Sequence, residues 1–124
     1  MILERNAKSS DEQSQYISIT GLKLKQVWHW PVFAKHAGAS MRQAKNAQGC
    51  LSADAKLIDG VHHTLSIWSS KAAMLEFIHS DAHARAIKVF GRIATGKTFG
   101  YHAKEAPNWE EVHGLWLERG KDYN

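Results

Sequence analysis

The segments CLSADAKLI (50–58) and HHTLSIW (62–68) both read as strands, and the turn between them is centred on Asp59 and Gly60. A turn that tight favours positive φ at its central residues, which Asp and Gly tolerate, so the two segments are predicted to pair as an antiparallel hairpin. The rest of the chain has to be arranged around that hairpin.

Upstream, in YISITGLKLKQVW (16–28), Ile17 and Ile19 alternate with Ser18 and Thr20, and Leu22 and Leu24 alternate with Lys23 and Lys25. Period-two alternation predicts a strand. Its apolar phase slips by one at Gly21, which predicts a bulge or kink there. Pro31 suits a first helical turn, and Phe33, Ala37, Met41 and Ala44 follow at helical spacing, predicting a helix over 31–47 stopped by Gly49.

Downstream, Ser69 and Ser70 can cap a helix carrying Ala73, Met74, Phe77 and Ile78 on one face. Ser80 and Asp81 offer a second cap before Ala84, Ile87, Val89, Phe90 and Ile93, so two helical pieces with a bend between them are expected. KTFGYHA (97–103) reads as a last strand. Asn108 and Glu111 then have capping-box spacing after Pro107, and Gly120 sits where that final helix should stop.

The order is β-α-β-β-α-β with an added C-terminal helix: an α+β, ferredoxin-like antiparallel sheet. Residues 1–15 are polar and aperiodic and read as a flexible tail, leaving 16–124 as one domain. At 124 residues, 44% apolar and 23% charged, the chain has the length and balance of a single globular domain. No apolar run approaches a membrane span, and the start resembles no secretory signal. A cytoplasmic location is therefore expected. Cys50 is the only cysteine, which excludes an internal disulfide and a paired-cysteine metal motif, and it is expected to pack as a small side chain. The formal charge of +4 is spread from Lys23 to Lys121 without a dense basic run or interleaved aromatics, so no nucleic-acid partner is expected.

Gly91 to Thr98, GRIATGKT, matches the phosphate-binding loop pattern letter for letter. That loop works only between a preceding strand and a following helix, whose N-terminal N–H groups converge on phosphate. Here a helical pattern precedes and a strand pattern follows, so the match is rejected.

Eight histidines leave three clusters: His29 between Trp28 and Trp30, the His62-His63 pair, and His79 with His83. His79 and His83 have the i, i+4 spacing of a metal pair, but no Asp, Glu or Cys stands where a third ligand would, and the expected bend separates them. No metal is assigned. Adjacent strand residues point to opposite faces, so only one of His62 and His63 can face a given pocket. No Ser-His-Asp or reactive-cysteine arrangement is present.

The run Ile67-Trp68-Ser69-Ser70-Lys71-Ala72-Ala73-Met74-Leu75-Glu76-Phe77, followed by Ser80-Asp81-Ala82-His83, resembles the antibiotic biosynthesis monooxygenase-like superfamily. In that superfamily a strand ending in Trp leads into a helix of small and acidic residues and then a Ser-containing break. The resemblance spans about Ile17 to Ala103 and lies near a bacterial branch of spheroidene-monooxygenase-like proteins. It implies a homodimeric α+β barrel, with a twin subunit hiding the open side of the sheet and a pocket between sheet and helices. Superfamily members include cofactor-independent monooxygenases of aromatic polyketides, haem-degrading enzymes and proteins without known activity. A haem-degrading member would need a His, a helical Trp and a first-strand Asn where this chain has Ile87, Phe77, and Thr20 or Gly21, which argues against that chemistry.

Two functions follow as expectations. One is a monooxygenase-like enzyme without a cofactor, acting on an apolar or aromatic small molecule in a pocket lined by Trp28, Trp68, Phe77, Phe90 and Tyr101. His79, His83 or His102 would transfer the proton, because imidazole titrates near neutral pH. The other is a non-catalytic homodimer that binds a hydrophobic ligand, or a structural protein with no ligand at all.

Overall fold

The computed structural model describes residues 14–122. Residues 1–13 of the expected tail lie outside the described residues, and its last residue, Gln15, already opens β1. β1 (Gln15–Leu24) leads through a 3-10 turn (Val27–His29) into α1 (Trp30–Asn46). The hairpin β2 (Cys50–Ile58) and β3 (Val61–Trp68) is followed by α2 (Lys71–Ile78), α3 (Asp81–Ile93) and β4 (Ala94–Ala103), and the chain closes with α4 (Trp109–Arg119) and β5 (Lys121–Asp122). The five strands form one antiparallel sheet in the order β2-β3-β1-β4-β5. This is the expected α+β architecture, with β5 as an addition: two residues are too short a run to show a period.

Asp59 and Gly60 have φ of +51° and +77°, the paired left-handed conformations expected of this hairpin turn. Ser70 caps α2 by accepting the Ala73 N–H, and Asn108 and Glu111 form the reciprocal capping box at the start of α4. Ser80 occupies the N-cap position of α3, but its hydroxyl donates back to the Phe77 carbonyl rather than capping forward. α1 ends at Asn46, three residues before the glycine expected to stop it.

The predicted bulge at Gly21 is not there. β1 runs without a register shift against both β3 and β4, and the irregularity falls in β2 between Cys50 and Ser52. The slip in apolar phase has another cause. Ile17 and Ile19 are fully buried on one face of the sheet, whereas Leu22 is buried on the other, so the two ends of β1 serve different cores. Gly21 is glycine because a Cβ there would run into the Trp116 indole.

Register assigns the faces. Tyr16, Ser18, Thr20 and Leu22 stand beside Trp68, Ser66, Thr64 and His62 of β3 and beside His102, Gly100, Thr98 and Gly96 of β4. α1, α2 and α3 lie over this side, packing Phe33, Ala86, Phe90 and Ile93 around Leu22, and Met74 around Tyr16 and Trp68. The opposite side carries Ile17, Ile19, His63 and Leu65, and α4 lies across it with Val112 and Trp116. Its centre, expected to need a twin subunit, is thus sealed by the chain's own last helix: Ile17 and Ile19 are 0% exposed.

Candidate functional site

On the side of α1–α3 the sheet presents successive rows about 7 Å apart, since alternate strand residues advance by that distance. The first row holds Tyr16, Trp68 and His102, the second Ser18, Ser66 and Gly100, the third Thr20, Thr64 and Thr98, and the fourth Leu22, His62 and Gly96. Two hydroxyl rows therefore lie between two aromatic ends. Trp68 and Phe77 stand 5.4 Å apart, and Phe77 meets His83 edge-on at 4.7 Å. At the other end His62 stacks on Trp30 at 5.4 Å and lies 4.7 Å from Phe33, which in turn packs on Phe90 at 5.3 Å.

The hydroxyls differ in what they have left to offer. Thr98 donates to the Ile19 carbonyl at 3.1 Å, so its 3.0 Å contact with Thr20 is made by the Thr20 hydroxyl donating to Thr98. Trp68 Nε1 donates to Ser66 Oγ at 2.9 Å. Ser18 and Thr64, both half-buried, have no hydrogen-bond partner among the described residues, and neither has the Tyr16 hydroxyl, which leans over Gly100. Burial raises the Tyr16 pKa above the ordinary phenol value, so Tyr16 is a proton donor to a neighbour rather than a phenolate.

Of the residues singled out from the sequence, Trp68, Phe77, Phe90 and His83 gather on this side. His102 is on the same face, edge-on to Tyr16 at 5.0 Å, but exposed, and His79 is exposed at the C-cap of α2. Trp28 stands in solvent on the 3-10 turn. Tyr101 is separated from the others by the sheet: it stacks on Phe99 beneath Arg119 on the α4 side. Tyr16, Ser18 and Thr64 as a polar floor, and His62 as a flanking imidazole, are not among the residues expected from the sequence. The alternation of β1 with β3 carried that signal, because hydroxyl residues recur at every second position.

His62 and His83 flank the two ends. Burial lowers both imidazole pKa values, and at His83 the backbone of Ile78 opposes the shift without cancelling it. Both are neutral at pH 7 and can accept a proton. His83 Nδ1 is buried without a hydrogen-bond partner among the described residues.

His63 belongs to the other side and to a different arrangement. It is 1% exposed, with Nδ1 3.3 Å from the Thr20 carbonyl and Nε2 2.8 Å from His113 Nδ1. A carbonyl only accepts, so His63 carries its proton on Nδ1 and its Nε2 accepts from His113. His113 Nε2 then faces Asp59 at 3.6 Å. The His63–His113 hydrogen bond ties α4 to β3, and the longer contact with the exposed Asp59 carboxylate adds only a screened surface pair. Among the described residues no three His, Cys, Asp or Glu side chains converge as a metal site requires. Gly91 to Ile93 close α3 and Ala94 opens β4, so the phosphate-loop look-alike has its helix and strand in the wrong order.

No family model matches the sequence, and no curated protein matches it significantly. Solved structures do match, with sequence identities that speak for the fold alone. An antibiotic biosynthesis monooxygenase-like protein from Deinococcus radiodurans aligns with a TM-score of 0.66 at 19% identity, covering 75% of this chain and 96% of that one. A second, from Caulobacter crescentus, aligns at 0.62 and 20% identity over 82% of this chain and 99% of the other. SnoaB from Streptomyces nogalater, a cofactor-independent oxygenase, aligns at 0.63 with 7% identity, covering 75% of this chain and 96% of SnoaB.

Proposed function

We propose that the strip between the sheet and α1–α3 receives a small aromatic molecule bearing oxygen substituents, and that the protein acts on it as a monooxygenase-like enzyme. The observation that carries this reading is the set of Tyr16, Ser18 and Thr64 hydroxyls, without a partner among the described residues, between two aromatic ends. Rings at the ends would hold a flat apolar body, and the floor hydroxyls would fix its oxygens. The shared fold with SnoaB and the antibiotic biosynthesis monooxygenase-like proteins supports the reaction class.

Neutral His62 or His83 is suited to take a proton from an acidified C–H or phenol of such a molecule, leaving an electron-rich anion. That anion can reduce dioxygen directly. A CH2 becomes C=O, one oxygen atom stays in the product, the other leaves as water, and all four electrons come from the substrate. Homodimer formation, as the resemblance implies, belongs to the same reading, and so does a cytoplasmic place. Light scattering that finds only monomer would remove the dimer from it.

One observation favours a non-catalytic ligand-binding protein instead: among the described residues no carboxylate is hydrogen-bonded to His62 or His83, as one commonly is to a proton-transfer histidine. Oxygen uptake and thermal shift with a panel of polycyclic phenols and ketones separate the two. A catalyst consumes oxygen in step with product, and His62→Gln or His83→Gln lowers kcat while leaving the thermal shift. A binding protein shows the shift without uptake, and Thr64→Val reduces it. Neither signal with any panel member would end both readings.

A further inference from the structure

Between Gln13 and Ala53 the chain holds Lys23, Lys25, Lys35, Arg42 and Lys45 and not one Asp or Glu. That stretch alone carries more positive charge than the whole chain's formal +4. The fold then concentrates it. In α1, Lys35 and Arg42 lie two turns apart on a stripe opposite buried Phe33 and Ala44, and in α3 Arg85, Lys88 and Arg92 form a stripe opposite buried Ala86, Phe90 and Ile93. α1 and α3 pack side by side on one face of the sheet, so both stripes, all exposed, point outward on the same side.

At the N-terminal end of α1 this surface meets an apolar tip. Val27 is 84% exposed, Trp28 69%, Trp30 50% and Val32 46%, all within six consecutive residues. Single exposed hydrophobic side chains are ordinary, but a contiguous cluster containing two Trp marks a contact surface. Lys25 and Lys35 bracket it in the chain, and Lys25 is held near by its Nζ donating to the Gly91 carbonyl at 3.5 Å.

We propose that this surface docks on a membrane rich in anionic phospholipid, with Val27 and Trp28 entering at headgroup depth and the α1 and α3 stripes against the lipid phosphates. Indole rings favour that boundary, which accepts an apolar body and a polar N–H together. Each Lys or Arg near an anionic surface adds attraction that salt screens. A second copy of the chain fits less well, because a twofold contact through this tip would bring two positive faces together. A nucleic acid would satisfy the charges and stack on Trp28, yet Val27 and Val32 have no π-face to offer a base.

The test is flotation of the full chain with phosphatidylcholine vesicles, with and without phosphatidylserine. The protein is expected to float with the anionic vesicles only, and to be released by salt. Val27→Ser with Trp28→Ser should weaken binding on the order of tenfold, and Lys35→Gln with Arg42→Gln by about twentyfold. All four sites are exposed, and unchanged circular dichroism confirms that the variants fold. The emission difference between the wild type and Trp28→Ser should shift blue on adding anionic vesicles. Four results would overturn the proposal: no flotation with anionic vesicles, wild-type flotation of Val27→Ser/Trp28→Ser, tighter binding to a single-stranded oligonucleotide, or conversion of a dimer to a monomer by the Val27/Trp28 variant. None of these variants touches the hydroxyl strip, so the outcome does not depend on the chemistry there.

Discussion

The two faces of this sheet are filled in opposite ways. On the α4 side, apolar side chains pack together and His63, the one buried polar residue there among the described residues, has both ring nitrogens hydrogen-bonded. On the α1–α3 side, aromatic clusters at each end are separated by hydroxyls, three of which have no protein partner among the described residues. A face optimised only for stability would resemble the first, since a polar group left without a partner forgoes hydrogen-bond energy. The second face is therefore where a ligand is to be sought, and the first is the packed side behind it.

That contrast can be broken most directly at Trp116. Its indole fills the space above Gly21, donates to the Lys97 carbonyl at 2.8 Å and stands edge-on to His63 at 5.0 Å. Trp116→Ala is expected to cost about 3–5 kcal/mol of folding free energy, measured by urea denaturation. A loss below about 1 kcal/mol would mean that α4 is not what seals this face.

A smaller effect should appear on acidification. Burial lowers the pKa of His62, His63 and His83; at His63 the Thr20 carbonyl opposes the shift and His113 adds to it. The unfolded chain then binds protons that the folded chain refuses, so stability is complete above the unfolded imidazole pKa of about 6.5 and falls as pH drops below it. The melting temperature should decline between about pH 7 and pH 5, and His63→Gln should flatten that slope while lowering the plateau. A melting temperature that rises on acidification would reverse the assignment.

Least of all is expected from Asp59→Asn. Asp59 is well exposed opposite His113, and Asn keeps both the turn conformation and the volume, so the change should stay within about 0.5 kcal/mol. A larger loss would show that the contact between turn and helix is a structural tie rather than a screened surface pair.

How far the sequence could be read depends on the range of the interaction. Asp59-Gly60, the Ser70 cap and the Asn108/Glu111 capping box all work within four residues, and each was legible before the fold was known. The slip at Gly21 was visible but misread, because a glycine demanded by a ring 95 positions away looks the same in sequence as a glycine demanded by a bulge. Aromatic character alone places Trp28 and Tyr101 with Trp68, Phe77 and Phe90, and only register and exposure separate them.

By itself, then, the chain's alternation and capping signals determined which segments are strands and helices and in what order, since hydrogen bonding and side-chain periodicity are local. Which face α4 closes, which of His62 and His63 takes which side and with what partners, and that scattered lysines and arginines align into one surface were decided by packing across the sheet. Those outcomes depend on excluded volume and burial between residues far apart in the chain, which no short window of sequence contains.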